Sequence, residues 1–150
     1  MDVPSIDRAV RWRIYAGLRD SSAVPTLSTI AEALRIETSE VEASLRRLHE
    51  AHVLVLYEGT TEVRMALPFA ARATPFAVHV GDRRWWANCA WDAYAIPAAL
   101  GAEDAVIDTD CPDCGEGMRL EVRAGEARAA DALIHFLVPA SRWWDDIVFT

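Results

Sequence analysis

No apolar run in the 150-residue chain approaches the roughly 18 residues that a membrane span requires, and its start, Met1 to Ser5, is acidic at Asp2 where a secretory signal would be basic and then apolar. Membrane-spanning and exported proteins are therefore set aside, and a cytoplasmic location is expected. Lysine is missing altogether. All 15 residues counted as Lys and Arg are Arg, which with the abundance of Ala points to a GC-rich coding sequence and identifies no ligand. Cysteine is scarce and odd in number: Cys89, Cys111 and Cys114 fit reduced thiols acting as ligands or nucleophiles better than a disulfide framework. Positive charge is also in short supply. The net charge is −8; residues 1–73 hold 9 Arg against 10 Asp and Glu, and residues 74–150 hold 6 against 13, so −7 of the total lies in the second half. Such a balance argues against a nucleic-acid partner there, because binding a polyanion rests on neutralising its phosphates. There is no internal repeat and no low-complexity tract.

What the chain does have is the profile of a globular protein near the size of one ordinary domain, with 52% hydrophobic and 25% charged residues. Ile6, Val10, Ile14 and Leu18 recur every four residues behind Ser5, which predicts an amphipathic helix over 6–18, broken by Ser21 to Pro25. Thr26 or Ser28 can cap a short helix carrying Leu27, Ile30, Ala31 and Leu34. A third begins near Thr38, with Ser39 and Glu42 spaced as a capping box and Val41, Leu45 and Leu48 as its buried stripe. His52 to Tyr57 and Glu62 to Leu67, separated by Gly59-Thr60-Thr61, read as a hairpin. Three helices and a hairpin make a winged helix-turn-helix.

Pro68 to Pro75 reads as a connector. Beyond it, Phe76 to Val80 and Arg83 to Ala87 form a hairpin about Gly81-Asp82, followed by a helix from Cys89 to Leu100 that Pro97 should kink or end. Ala105 to Thr109, Met118 to Arg123 and Ala132 to Val138 are strand candidates. The expected fold is thus α+β: a winged-helix-like domain at 1–70, then a domain at 71–150 in which a small mixed β-sheet carries one packed helix.

The stretch richest in chemistry surrounds Cys89 and Asp92. Three residues apart on a helix they share a face, and unpaired N–H groups in the first turn favour a thiolate, so a nucleophile would stand beside a proton carrier. On this reasoning Cys89 should be more reactive than Cys111 and Cys114. The plain alternative makes Cys89 a small buried hydrophobe and Asp92 a first-turn carboxylate.

The segment resembles the active-site helix of the alkylmercury (organomercurial) lyase family, whose pattern runs Cys-Ala-x-Asp, four residues, Pro-Ala, two residues, Gly. Cys89, Ala90, Asp92, Pro97, Ala98 and Gly101 match at that spacing, and the order of elements over most of the chain is similar. The resemblance implies a carbon–mercury lyase in which Cys89 captures the mercury of R–Hg and Asp92 delivers a proton to the leaving carbanion. It implies no required cofactor, mercury as the metal of the substrate, and cytosolic thiols as partners. The family uses a second cysteine near its C-terminus, which alignment through Leu137-Val138-Pro139 and Trp143 to Phe149 places at or just beyond Thr150, so a truncated or divergent member is expected.

Cys111-Pro-Asp-Cys114-Gly-Glu is a CxxC turn, half of a zinc or copper site, and makes Cys111 and Cys114 metal-ligand candidates alongside Cys89; the further ligands would have to come from His79 or His135. Its plain reading is a loop turned by Pro112 and Gly115. The third helix would expose Arg46, Arg47 and His49, but Glu40, Glu42 and Glu50 share it, leaving almost no positive field for DNA. A structural wing is favoured over a metal-responsive regulator, with homodimerisation the route by which charge could be concentrated. A soft-metal-binding protein without catalysis is the other alternative. Trp85-Trp86 and Trp143-Trp144 could line an apolar pocket, although strand neighbours face opposite ways, so at most one of Trp85 and Trp86 can do so. His135 is read as a satisfied strand histidine and Asp145-Asp146 as solvated helix surface.

Overall fold

A computed structural model describes residues 5–128 and 132–149. Expectations about the first residues of the chain and about Thr150 lie outside them. Three helices open the fold: α1 (Ser5–Ser21), α2 (Leu27–Leu34) and α3 (Thr38–Glu50). The four-residue stripe of α1 is buried at Val10, Ile14 and Leu18 and meets Ile30 and Ala31 of α2 and Val41, Leu45 and Leu48 of α3 in one apolar core. Burial at a period near 3.6 is what holds short helices that would be marginal alone. Gly17 lets the chain return tightly, since a Cβ there would come within 2.5 Å of the Pro25 ring. Thr26 caps α2, its Oγ1 accepting from the Thr29 N–H at 3.2 Å. The cap of α3 differs from expectation. Glu37 is the N-cap and its N–H donates to Glu40 Oε2 at 3.1 Å, so the reciprocal pair sits two residues before Ser39 and Glu42, on a longer side chain than the usual cap.

The strands are β1 (Val55–Leu56), β2 (Val63–Ala66), β3 (Phe69–Ala70), β4 (Phe76–Val80), β5 (Arg83–Ala87), β6 (Ala105–Asp110), β7 (Gly117–Arg123) and β8 (Glu126–Arg128). They form one sheet in the order β1-β2-β3-β5-β4-β6-β7-β8, every neighbouring pair antiparallel. Three expectations are corrected here. The sheet is antiparallel, not mixed, because tight turns join most sequential strands; the one long crossover, through helix α4 (Ala90–Leu100), steps over β4 instead of pairing β5 with β6. The stretch read as a connector contains β3, which pairs with both β2 and β5 and so joins the two hairpins into one sheet. Ala132 to Val138 is no strand: the last strand is β8, and 132–138 runs irregularly with Leu133 96% and Leu137 76% exposed.

Helix α4 lies against β4, β5 and β6. It runs three residues past Pro97 and ends at Gly101, whose φ of +67° is the left-handed conformation that glycine adopts without a Cβ penalty. Pro97 is accommodated on the buried side, where it is among the most enclosed side chains. Hydrogen bonds tie the sheet side to the helices, two of them to or from α1. Trp85 Nε1 donates to the Leu18 carbonyl at 2.6 Å, and Tyr15 Oη to the Leu67 carbonyl at 3.0 Å. No helix among the described residues is long and apolar enough to cross a membrane.

Candidate active site at the start of helix α4

Cys89 is the N-cap of α4, in extended conformation, where β5 gives way to the helix. Its side chain opens on a 670 Å³ cavity walled by α4 (Trp91, Tyr94), β6 and β7 (Thr109, Met118, Leu120) and the irregular C-terminal segment (Phe136, Trp143). That segment is held by aromatic contact: Phe136 lies 6.2 Å from Trp91 and 5.3 Å from Trp143, centroid to centroid. Largely apolar walls of this size suit a small organic group. Of the expected tryptophans only Trp143 lines it; Trp85 is committed to Leu18, Arg84 lies over Trp86, and Trp144 stacks on His52 at 4.2 Å.

Burial pushes the Cys89 thiol above its ordinary range; the backbone N–H of Asp92 opposes this, and the Asp92 charge adds to it. This corrects the expected thiolate. The backbone at the start of α4 lowers the thiol pKa, but desolvation in an apolar pocket outweighs it. Cys111 goes the other way. On the half-buried Cys111, hydrogen bonding from the turn around Cys114 and Asp113 pulls the thiol pKa down.

Asp92, one turn along α4, is also pushed up by burial, with the Asn88 amide working against the rise. Asn88 Nδ2 donates to Asp92 Oδ2 at 3.0 Å and to the Pro68 carbonyl at 3.2 Å, holding the carboxyl in place. Tyr15 of α1 is near enough for the Asp92 charge to raise its phenol, against the larger effect of burial and the opposing Arg11. Asn88 is the residue that sequence reasoning missed: it adjoins Cys89 and sits four residues before Asp92, a spacing that on a helix places two groups together. Cys89 and Asp92 are thus brought into electrostatic contact.

The other candidates are dispersed. Cys111 and Cys114 are not among the cavity-lining residues, although Asp110 and Pro112, beside Cys111, are. His79 pairs across strands with Asp108 at 3.3 Å. His135 lines the cavity from an exposed, irregular position and not from a strand. No group of three or more His, Cys, Asp or Glu side chains that could hold a metal ion occurs among the described residues. On α3, Arg47 is not a free cation: it forms a two-point pair with Asp7 at 2.6 and 3.0 Å, while Arg46 faces Glu42 at 3.7 Å and His49 Nδ1 lies 3.4 Å from the Leu54 carbonyl. Asp145 and Asp146 are exposed, as expected, at the end of a 3₁₀ turn, Ala140–Asp145.

A cysteine and a half-buried carboxyl stand near an apolar cavity, at the start of a helix packed against an antiparallel sheet. The family model of the alkylmercury lyases, MerB, matches residues 69–150, and the chain belongs to that family. Among solved structures, the mercury-bound form of MerB2 is similar at 26% identity and a TM-score of 0.66, covering 85% of this chain. The match spans 61% of the MerB2 chain. No curated protein matches.

Proposed function

We propose that the protein is an alkylmercury lyase-like enzyme that cleaves carbon–mercury bonds by protonolysis, with Cys89 as the nucleophile and Asp92 as the proton carrier. The observation that carries this reading is the position of Cys89, opening on an apolar cavity with the half-buried Asp92 carboxyl one turn along the same helix. The finer domain reading goes with it. Residues 1–70 form a winged-helix-like unit that serves structurally, its Arg47 spent on Asp7, and residues 71–150 the lyase-like unit.

The chemistry balances as follows. The Cys89 thiol proton passes to the Asp92 carboxylate as an Sγ–Hg bond forms and the substrate's outgoing ligand departs. The carbon–mercury bond then breaks with its electron pair on carbon, and carbon takes the proton from Asp92, giving R–H and Hg(II) on sulfur. Burial favours both resting forms this requires, a protonated Cys89 and a carboxyl with raised proton affinity. A second sulfur on mercury pushes electron density toward carbon. As Cys89 is the only cysteine lining the cavity among the described residues, a small thiol from solution supplies it, and turnover depends strongly on added thiol.

Incubation with methylmercury or phenylmercury and measurement of methane or benzene tests the proposal. Release that disappears in Cys89→Ser and falls in Asp92→Asn is expected. No release at any thiol concentration would leave a family member that binds soft metal without cleaving.

A further inference from the structure

The CxxC turn between β6 and β7 takes no part in the proposed cleavage, yet it is built more tightly than a simple connection requires. The Cys111 N–H donates to the Glu116 carbonyl and the Gly115 N–H to the Cys111 carbonyl, both at 2.8 Å, and Gly115 takes a φ of +73° to close the turn. Inside this frame Cys111 and Cys114 stand three residues apart in the single turn that the Gly115 N–H closes on the Cys111 carbonyl, a spacing that sets two side chains on one side of a turn. Two thiols on one closed turn form a compact pair of soft ligands. The turn also stands at the rim of the Cys89 cavity, since Asp110 and Pro112 are part of the wall.

We infer that Cys111 and Cys114 form a two-thiolate site for a soft metal ion that is satisfied by two sulfurs, above all Hg(II), placed to receive the ion from Cys89. Zinc is not served, because a tetrahedral site needs four ligands and no cluster of three or more candidate side chains is assembled among the described residues. An ion of Hg(II) or Cu(I) type needs only the pair, and soft sulfur selects it. Receipt is thiol exchange. Hg(II) held between Cys89 and a small thiolate forms two new bonds to Cys111 and Cys114, and the two protons displaced from those thiols go to the sulfur of Cys89 and to the departing small thiol. Metal capture by the turn stands on its own; delivery from Cys89 rests on the reading of Cys89 as the mercury-binding thiol.

The full-length reduced protein is loaded with HgCl₂, washed with an excess of a monothiol, and its retained mercury counted by native mass spectrometry. Two sulfurs on one turn act as a chelate, so retention should exceed that of a single cysteine by at least about a hundredfold. The wild type and Cys89→Ser should keep one ion per chain, and Cys111→Ser and Cys114→Ser, singly or together, should keep none while giving unchanged circular dichroism. Loss of the ion in Cys89→Ser, or its retention in the double variant, would overturn the assignment, as would Zn(II) held more tightly than Hg(II) in a parallel titration. Retained mercury in a protein that releases no hydrocarbon would support the site and count against the lyase reading alone.

Discussion

Each half of the molecule withdraws one carboxylate from water, and the two are treated in opposite ways. Asp7, on α1, has a side chain only 4% exposed and meets Arg47 of α3 through two bonds, at 2.6 and 3.0 Å, which hold its pKa below the ordinary carboxylate range against the cost of burial. Asp92, on α4, has only a neutral amide for a partner, and burial wins. The first arrangement spends a cation to fix two helices together. The second leaves a carboxyl that keeps its proton longer than usual, which is a cost to the fold and an asset to proton transfer. The thiols repeat the contrast, with Cys89 raised by desolvation and Cys111 lowered by hydrogen bonding within its turn.

Removing the reacting groups should give the largest effect. Cys89→Ser should lower hydrocarbon release from phenylmercury by at least about 10³-fold and Asp92→Asn by about 10²-fold or more. The same Asp92→Asn change should make the protein more stable in urea unfolding at pH 7, because a carboxyl whose folded pKa is raised costs stability once pH climbs through the interval between its unfolded and folded values. A protein destabilised by Asp92→Asn would break the contrast between the halves.

Asp7→Ala should do the reverse, costing about 2 kcal/mol at pH 7 after allowance for the half-exposed Arg47, with hydrocarbon release per folded molecule unchanged. Since the folded pKa of Asp7 is lowered, its contribution is present above the unfolded value near pH 4 and disappears as pH falls through the folded one, so wild type and variant should converge in acid. Iodoacetamide labelling resolved by peptide mass spectrometry should show Cys111 reacting about tenfold faster than Cys89 at neutral pH in the metal-free protein. Equal rates would mean that burial does not govern Cys89. The smallest effect concerns Asn88: Asn88→Ala should move the Asp92 carboxyl titration, followed by carbon NMR, further upward, as a hydrogen bond to the charged form is lost.

Much of this was legible in the sequence wherever one local rule had no competitor. The four-residue stripe of α1, the Thr26 cap, the hairpin about Gly81-Asp82 and the placement of Cys89 at a helix start follow from period, cap and turn chemistry, and the structure places them there. The spacing from Cys89 to Gly101 carried the family. Other features depended on partners far away in the chain. The two residues of β3 have no pattern of their own and exist because β2 and β5 flank them. The apolar run 132–138 has strand composition, but the edge of the sheet is taken by β8. Arg47 looked like a surface cation because nothing near it in sequence announces Asp7, forty residues earlier. What the sequence by itself determined was the order of elements, the apolar faces and the pairing of a cysteine with a carboxylate at the start of α4, all set by neighbours within about four positions. Only the tertiary structure decided the direction in which Cys89 and Asp92 titrate, because desolvation is a property of everything packed around a side chain, and at Cys89 it outweighs the helix N-terminus that the local sequence supplies.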